Sequence, residues 1–146
     1  MQLDNTSPEA VLARGRQVLA QQPFSALIGA ELAALAPGRC ELHLPVTDQI
    51  RQQHGFVHGG VVSYTADNAL TYAGGTALGV PVVTSEFKIN YVRPAVGRRL
   101  IARAVAQHVG RTQAVCRCDV FVVDEQGVEK LCALAQGTIT PLQNKA

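Results

Sequence analysis

The sequence predicts an α+β fold in which one long, nearly all-round buried helix is wrapped by an antiparallel β-sheet. Three observations carry that reading. Segment 58–78 is rich in Ala, Gly and Thr, holds one acid (Asp67) and no base, and is bounded by Gly59-Gly60 and Gly79-Val80-Pro81, the pattern of a helix buried on most sides. Downstream lie β-rich segments punctuated by glycine, over 82–92, 99–109, 112–123 and, after the turn Asp124-Glu125-Gln126-Gly127, over 128–139. They read as consecutive antiparallel strands. Finally, 146 residues with 47% hydrophobic and 16% charged side chains leave room for one core and exclude disorder, so helix and strands share a domain.

The remaining elements follow from local chemistry. Ser7-Pro8-Glu9 combines an N-cap oxygen, a first helical residue with no amide proton to leave unpaired, and an acid at the positive helix end. It predicts a helix over 8–20, an N-terminal segment (1–21) ahead of a single domain (22–146). Pro23 and Gly29 bracket a short apolar turn. After Glu31-Leu32-Ala33-Ala34-Leu35 and Pro37-Gly38, the run over 40–46 alternates and reads as a half-buried strand. Cys40, Cys116, Cys118 and Cys132 show no Cys-x-x-Cys spacing and read as reduced, structural thiols.

Charge and composition exclude several functions. A formal net charge of +2 with mixed signs offers no footprint for nucleic acid or an anionic membrane. No apolar run approaches a membrane span, and Met1-Gln2-Leu3-Asp4 lacks the basic start of a signal peptide, so a soluble, cytoplasmic protein is expected. His54 and His58 lack further ligands at metal spacing, and His43 and His108 fall in strand segments; no metal is expected. Without a Gly-x-Ser-x-Gly elbow, serine nucleophile chemistry is not expected either.

The chemistry concentrates where Gln52-Gln53-His54-Gly55-Phe56-Val57-His58-Gly59-Gly60 enters the long helix. The first amides of a helix lack intrahelical partners and carry its positive end, which suits an oxyanion. Glycine at 59 and 60 lets a ligand carbonyl approach the backbone closely. Asp67, the one ionisable side chain between His58 and Leu78, would be expensive to bury for packing alone and can serve as general base or nucleophile. Thr71, four residues on, shares its helix face and could bond the carboxylate or a water. Gly59 and Asp67 lie ~12 Å apart along the axis at ~1.5 Å per residue, too far for one small carbonyl to touch both. If both act they come from different chains, which predicts a two-fold dimer with shared sites.

With these residues in view the chain resembles the hotdog-fold acyl-CoA thioesterases of the PaaI-like and 4-hydroxybenzoyl-CoA thioesterase group, over roughly residues 22 to 140. The resemblance rests on Gly55-x-x-His58-Gly59-Gly60, on Asp67, and on Ile89-Asn90-Tyr91-Val92-Arg93-Pro94, which is similar to the group's Ile-Asn-Phe/Tyr-x-Arg-Pro pattern. It implies a hotdog fold, dimers paired edge to edge through their sheets, and association of dimers into tetramers. It implies that the Gly59 N–H polarises the thioester carbonyl while Asp67 of the partner attacks or activates water, with Gln52 near the thioester, His58 shaping the site and Thr71 or Thr84 orienting water or carboxylate. Gly60 is expected beside the substrate, Tyr64, Leu70, Tyr72 and Phe87 along the acyl group, and Arg93, Arg98, Arg99 or Arg111, the last in a turn with Thr112, near the coenzyme A phosphates. No cofactor is implied beyond the coenzyme A of the substrate. The same fold leaves two alternatives, hydration or dehydration of a hydroxyacyl thioester by His58 with Asp67, and a non-catalytic acyl-CoA-binding module.

Overall fold

Ser7 accepts the Ala10 N–H at 3.1 Å and starts α1 (Pro8–Ala20), the first element of a computed structural model that describes residues 6–143. The start Met1 to Asp4, on which the expectation of no signal peptide rests, lies outside the described residues. There follow α2 (Pro23–Ile28), β1 (Glu31–Ala36), β2 (Arg39–Pro45), a 3-10 turn (Asp48–Ile50), α3 (Gly59–Leu78), β3 (Val82–Tyr91), β4 (Arg99–Val109), β5 (Ala114–Val123) and β6 (Glu129–Pro141). The six strands form one antiparallel sheet in the order β1-β2-β4-β5-β6-β3.

The sheet curls round α3, which is the hotdog arrangement within the α+β class. Its inner face supplies Leu42, Leu44, Leu100, Cys116, Val120 and Ile139, packed with Val62, Ala66, Ala69, Leu70 and Ala73 of the helix. Burying each large aliphatic side chain contributes about 1.5–3 kcal/mol. The helix lies close because its inward residues are small: a Cβ on Gly74 would fall 2.6 Å from Ile139 Cβ. All four cysteines are free and buried in this core. Burial pushes the Cys40 thiol up to about 12, helped by the Glu41 charge, and the Cys116 and Cys132 thiols up to about 11, so they pack as small hydrophobes.

Three expectations change, and one run left without an assigned element gains one. The stretch after Pro23 is a helix, not a turn, with Pro23 in its first turn and Gly29 ending it at φ 79°, a left-handed cap that glycine adopts without penalty. Residues 31–36 form a strand, with a bulge between Leu32 and Ala34 that interrupts the alternation a sequence pattern relies on. The last four strands are not a simple meander. Strands β4, β5 and β6 are, but β3 pairs with β6 at the far edge, because segment 92–98 crosses the open end of the sheet. That crossing is tied by Val57 N–H to Ala95 O at 3.0 Å and Arg98 N–H to Val123 O at 2.8 Å. Lastly, α3 is not buried all round: the flank carrying Ser63, Asp67 and Thr71 is only half-buried, since β3 borders it and no further strand lies beyond. No helix among the described residues is long and apolar enough to cross a membrane, and none of their His, Cys, Asp and Glu side chains form a group of three suited to a metal.

Candidate active site

The loop before α3 is pinned by its own backbone. Gln52 N–H donates to Phe56 O at 2.9 Å, Gly55 N–H to Gln52 O at 3.0 Å, and His58 N–H to Ile50 O at 2.8 Å. His58 is the N-cap: its Nδ1 accepts the Gly60 N–H at 2.9 Å, and its carbonyl accepts Val61 N–H at 2.9 Å and Val62 N–H at 3.2 Å. The Val62 bond is the first regular bond of the helix, and of the four amides a helix start leaves open those of His58, Gly60 and Val61 are thus taken. The Gly59 N–H donates to no group among the described residues, and it sits at the positive end of a twenty-residue helix. The glycine is not demanded by packing, because a Cβ there would make ordinary contacts of 3.6–3.7 Å with the Tyr91 ring. Gly60 is different: a Cβ would fall 3.0 Å from His58 Nδ1, so its lack of a side chain serves the cap, and its N–H is already taken.

Asp67 lies two turns further along. Thr84 on β3 donates its hydroxyl to Asp67 Oδ1 at 2.7 Å, and Thr71 Oγ1 lies 2.9 Å from Thr84 Oγ1. The Thr71 hydroxyl also reaches the Asp67 backbone carbonyl at 2.8 Å, the usual habit of a threonine within a helix. Thr84 therefore touches the carboxylate, and Thr71 acts on it only through Thr84. Oδ2 has no partner among the described residues, and it is free to accept a proton or attack an electrophile. Asp67 and Gly59 are on one helix and do not converge within the protomer, being ~12 Å apart along its axis.

A cavity of ≈ 340 Å³ opens in front of Gly59, lined by Phe56, Val57, Val62, Tyr91, Val92, Arg93, Pro94 and Ala95. Its walls are apolar and aromatic with Arg93 as the one charged side chain, a surface suited to an organic ligand ending in an anionic group. Gln52 stands in the loop beside it. Its Oε1 accepts the His54 N–H, and its amide Nε2 donates to no group among the described residues. Arg111 and Thr112 are exposed in the β4–β5 turn. Register through Ala114, Ile139 and Thr84 places that turn at the Asp67 end of the sheet, whereas Arg93 belongs to the Gly59 end. Arg98 and Arg99 are exposed at the start of β4.

All four residues expected along the acyl group are engaged elsewhere: Leu70 is fully buried in the core, and Tyr72 donates its hydroxyl to Gly15 O at 2.9 Å. Tyr64 faces α2: its hydroxyl lies 2.5 Å from Ser25 Oγ and accepts from Asn68 Nδ2 at 2.9 Å, while Phe24 packs edge-on at 5.1 Å between centroids. Phe87 packs against the core opposite Gly137. Conversely, Tyr91 and Phe56 line the cavity although the sequence reading assigned them no role. Tyr91 also donates its hydroxyl to Gly59 O at 3.0 Å, a contact across 32 residues whose only sequence signal is the Asn90-Tyr91-Val92-Arg93-Pro94 stretch.

The arrangement offers one free backbone donor at a helix N-terminus, one positioned carboxylate and an apolar cavity, the parts needed to polarise a carbonyl and deliver an oxygen nucleophile to it. Residues 54–129 match the family model of the thioesterase superfamily. The acyl-coenzyme A thioesterase PaaI of Escherichia coli (strain K12) is 31% identical over 111 residues, which is 75% of this chain and 76% of that protein. The 1,4-dihydroxy-2-naphthoyl-CoA hydrolase of Listeria monocytogenes serotype 1/2a (strain 10403S) is 26% identical over 114 residues, 77% of this chain and 89% of that one. Among solved structures, a thioesterase family protein from Silicibacter pomeroyi superposes with a TM-score of 0.85 at 36% identity, covering 92% of this chain and 99% of its own.

Proposed function

The chain belongs to the thioesterase superfamily and is a hydrolase, and from that premise we propose that it cleaves the thioester bond of an aromatic or medium-chain acyl-CoA to the free acid and coenzyme A. The carrying observation is the open Gly59 N–H at one end of α3 with the tethered Asp67 carboxylate ~12 Å away along the axis. Neither alone makes a hydrolytic site; a two-fold dimer brings one protomer's Gly59 to the partner's Asp67.

The fold supplies an edge for that dimer. Strand β3 is ten residues long and lies at the sheet margin, its outer edge unpaired among the described residues, an arrangement that invites a further strand. Thr84 marks the Asp67 end of β3 and Tyr91 the Gly59 end. Antiparallel pairing of two such edges about Phe87 and Lys88 sets Thr84 of one protomer against Tyr91 of its partner, so each two-fold dimer holds two identical sites.

In each site the thioester oxygen accepts the Gly59 N–H, with the helix end favouring the charge that develops there. The partner's Asp67 takes a proton from water through Oδ2 while the water oxygen bonds to the carbonyl carbon. Collapse of the adduct breaks the C–S bond, and the proton held by Asp67 goes to the departing sulfur. The acyl group or its thioester arm lies along Phe56, Tyr91, Val92 and Pro94, with Arg93 near the coenzyme A phosphates. The names of the Escherichia coli and Listeria relatives support coenzyme A thioesters as the substrate class. We place the reaction in the cytoplasm, where four unpaired thiols stay reduced, with dimers paired into tetramers.

Mixing two inactive variants tests the shared site. In a hybrid of Asp67→Asn with Gly59→Ala, one of two sites regains both intact groups, so random reassortment restores roughly a quarter of parental activity. Hybrids that stay as inactive as their parents refute the cross-protomer pairing.

A further inference from the structure

We propose that Tyr91 is a positioning residue, holding the Gly59–Gly60 peptide so that the neighbouring Gly59 N–H stays aimed at the substrate; the catalytic consequence rests on the thioesterase reading above. That peptide unit is clamped at both polar ends by side chains from different elements. Its N–H donates to His58 Nδ1 at 2.9 Å, and its carbonyl accepts the Tyr91 hydroxyl from the end of β3 at 3.0 Å.

The helix itself shows that this carbonyl is treated differently from its neighbours. Thr65, Thr71 and Thr76 each donate to the carbonyl four residues back, at 2.7, 2.8 and 2.8 Å. For Ser63 the equivalent acceptor is Gly59 O, and among the described residues Ser63 makes no such bond; the carbonyl is bonded by Tyr91 instead. Two adjacent glycines are the most permissive backbone the chain can offer, so an external tether changes the geometry most where it is found. The ring adds a second restraint, standing 3.6–3.7 Å from where a Gly59 Cβ would be and forming one wall of the cavity. It thereby limits the direction from which a carbonyl can reach the N–H.

The molecule contains its own control. Tyr72 also donates its hydroxyl to a glycine carbonyl, that of Gly15, at 2.9 Å, but it ties α1 to α3 and lies outside the cavity. Tyr91→Phe and Tyr72→Phe therefore delete matched bonds, and Tyr91 is 54% exposed, so its variant keeps the fold. Tyr91→Phe is expected to lower kcat between about two- and ten-fold, the weight of one net hydrogen bond, with KM within two-fold. It is also expected to speed amide hydrogen exchange over residues 56–62. Tyr72→Phe should leave both readouts parental and lower only the unfolding midpoint. Parental kcat and parental exchange in Tyr91→Phe, or the same changes in Tyr72→Phe, overturn the positioning role. If the parent protein turns over no coenzyme A thioester, it is the thioesterase reading that fails, and the exchange comparison alone decides whether Tyr91 clamps the peptide.

Discussion

In Gly59→Ala the new methyl would sit 3.6 Å from Tyr91 Cζ and 3.7 Å from its Cε1 and hydroxyl oxygen, separations that displace nothing. Gly59 is not among the glycines with positive φ, so alanine fits its backbone. In the first turn of α3 the substitution removes glycine's entropic penalty, worth up to ~1 kcal/mol. For a chain of this length that raises the unfolding midpoint by up to about 4 °C. The chemical effect runs the other way. The methyl stands beside the one open amide of the helix start, in the space a thioester carbonyl must enter. Denying an oxyanion its donor costs about 10²–10³ in kcat, or ~2.7–4 kcal/mol. The assay pairs thermal unfolding with steady-state hydrolysis of acyl-CoAs followed by a thiol reagent. A variant that is at least as stable as the parent yet nearly inactive is expected. Parental turnover would remove the Gly59 amide from the mechanism, and a lowered midpoint would refute the steric reasoning. Gly60→Ala provides the contrast, since its methyl falls 3.0 Å from His58 Nδ1; the cap must give way, at a cost of about 1 kcal/mol of stability.

Asp67→Asn should cut kcat by about 10²–10⁴ with little change in KM, its far-ultraviolet dichroism unchanged because Thr84 can still donate to the amide oxygen; equal rates would exclude the carboxylate. Thr84→Val should lower kcat about ten-fold, one charge-assisted bond, and Thr71→Val by less, since it reaches the carboxylate only through Thr84; the reverse order would contradict the relay geometry. On the outer face of the sheet Arg103 bonds Glu41 at 3.0 Å and Glu129 at 2.7 and 2.9 Å, and stacks over Phe121 at 5.2 Å. Burial works against ionisation of Glu41, but bonds from His43 and Arg103 outweigh it and hold its carboxyl below the ordinary range, as the Arg103 bonds do for Glu129. Groups with depressed folded-state values stabilise above their unfolded titration and lose that contribution as acid protonates them. The unfolding midpoint should therefore fall as pH drops from about 5 to 3, and fall less steeply in Arg103→Met. With Arg103 39% exposed, that variant should lose no more than about 1 kcal/mol at neutral pH.

What the sequence made legible was local. The α1 boundaries followed from a cap and a proline three residues or fewer from the groups they serve, and α3 from glycines at its ends, Gly79 closing it at φ 71°. The short α2 carries the same proline signal, but Gln22 makes no side-chain cap bond, so nothing local separated it from a turn. Strand order was illegible because a meander and a crossover through segment 92–98 have the same hydrophobic pattern; the deciding bonds, such as Val57 N–H to Ala95 O, join residues far apart in the chain. At the site, Asp67 stood out as a lone charge and Gly59 as a helix start. Their partners Thr84 and Tyr91, by contrast, lie on a strand whose approach to α3 no periodicity encodes. Tyr64 misled for the converse reason: an aromatic on a helix beside a reactive residue suits a pocket, yet Ser25 and Asn68 satisfy its hydroxyl, and a buried hydroxyl goes where a partner waits.

The polar residues of α3 divide into two flanks, and the difference bears on the quaternary proposal. One flank is closed by the chain itself: Asn68 reaches Gln22 Oε1 at 3.2 Å, Tyr72 reaches Gly15 O, and Thr76 reaches Ala36 O at 3.1 Å and receives the Gly38 N–H at 3.1 Å. Each of these groups has a partner on α1, at the Gln22 cap of α2, on β1 or in the turn after β1. The other flank bears Ser63 and Asp67, with one carboxylate oxygen and the outer backbone of the adjoining β3 unpaired among the described residues; β3 ends at the exposed Tyr91, followed by exposed Val92. Sequences do not usually leave a half-buried carboxylate and a ten-residue unpaired strand edge side by side, because one demands polar company and the other invites further pairing. A second copy resolves both at once: its strand completes the sheet, and its helix N-terminus meets the carboxylate. A mutation that kills the edge without touching the site should therefore abolish activity and dimerisation together. Lys88→Pro, at the centre of β3 and pointing away from the helix, is the direct case. Proline removes the residue's N–H, which either the partner edge or β6 uses, and its ring crowds the neighbouring strand. Sedimentation should show protomers and the thioesterase assay should show no turnover, while an active monomer would break the link between edge and catalysis.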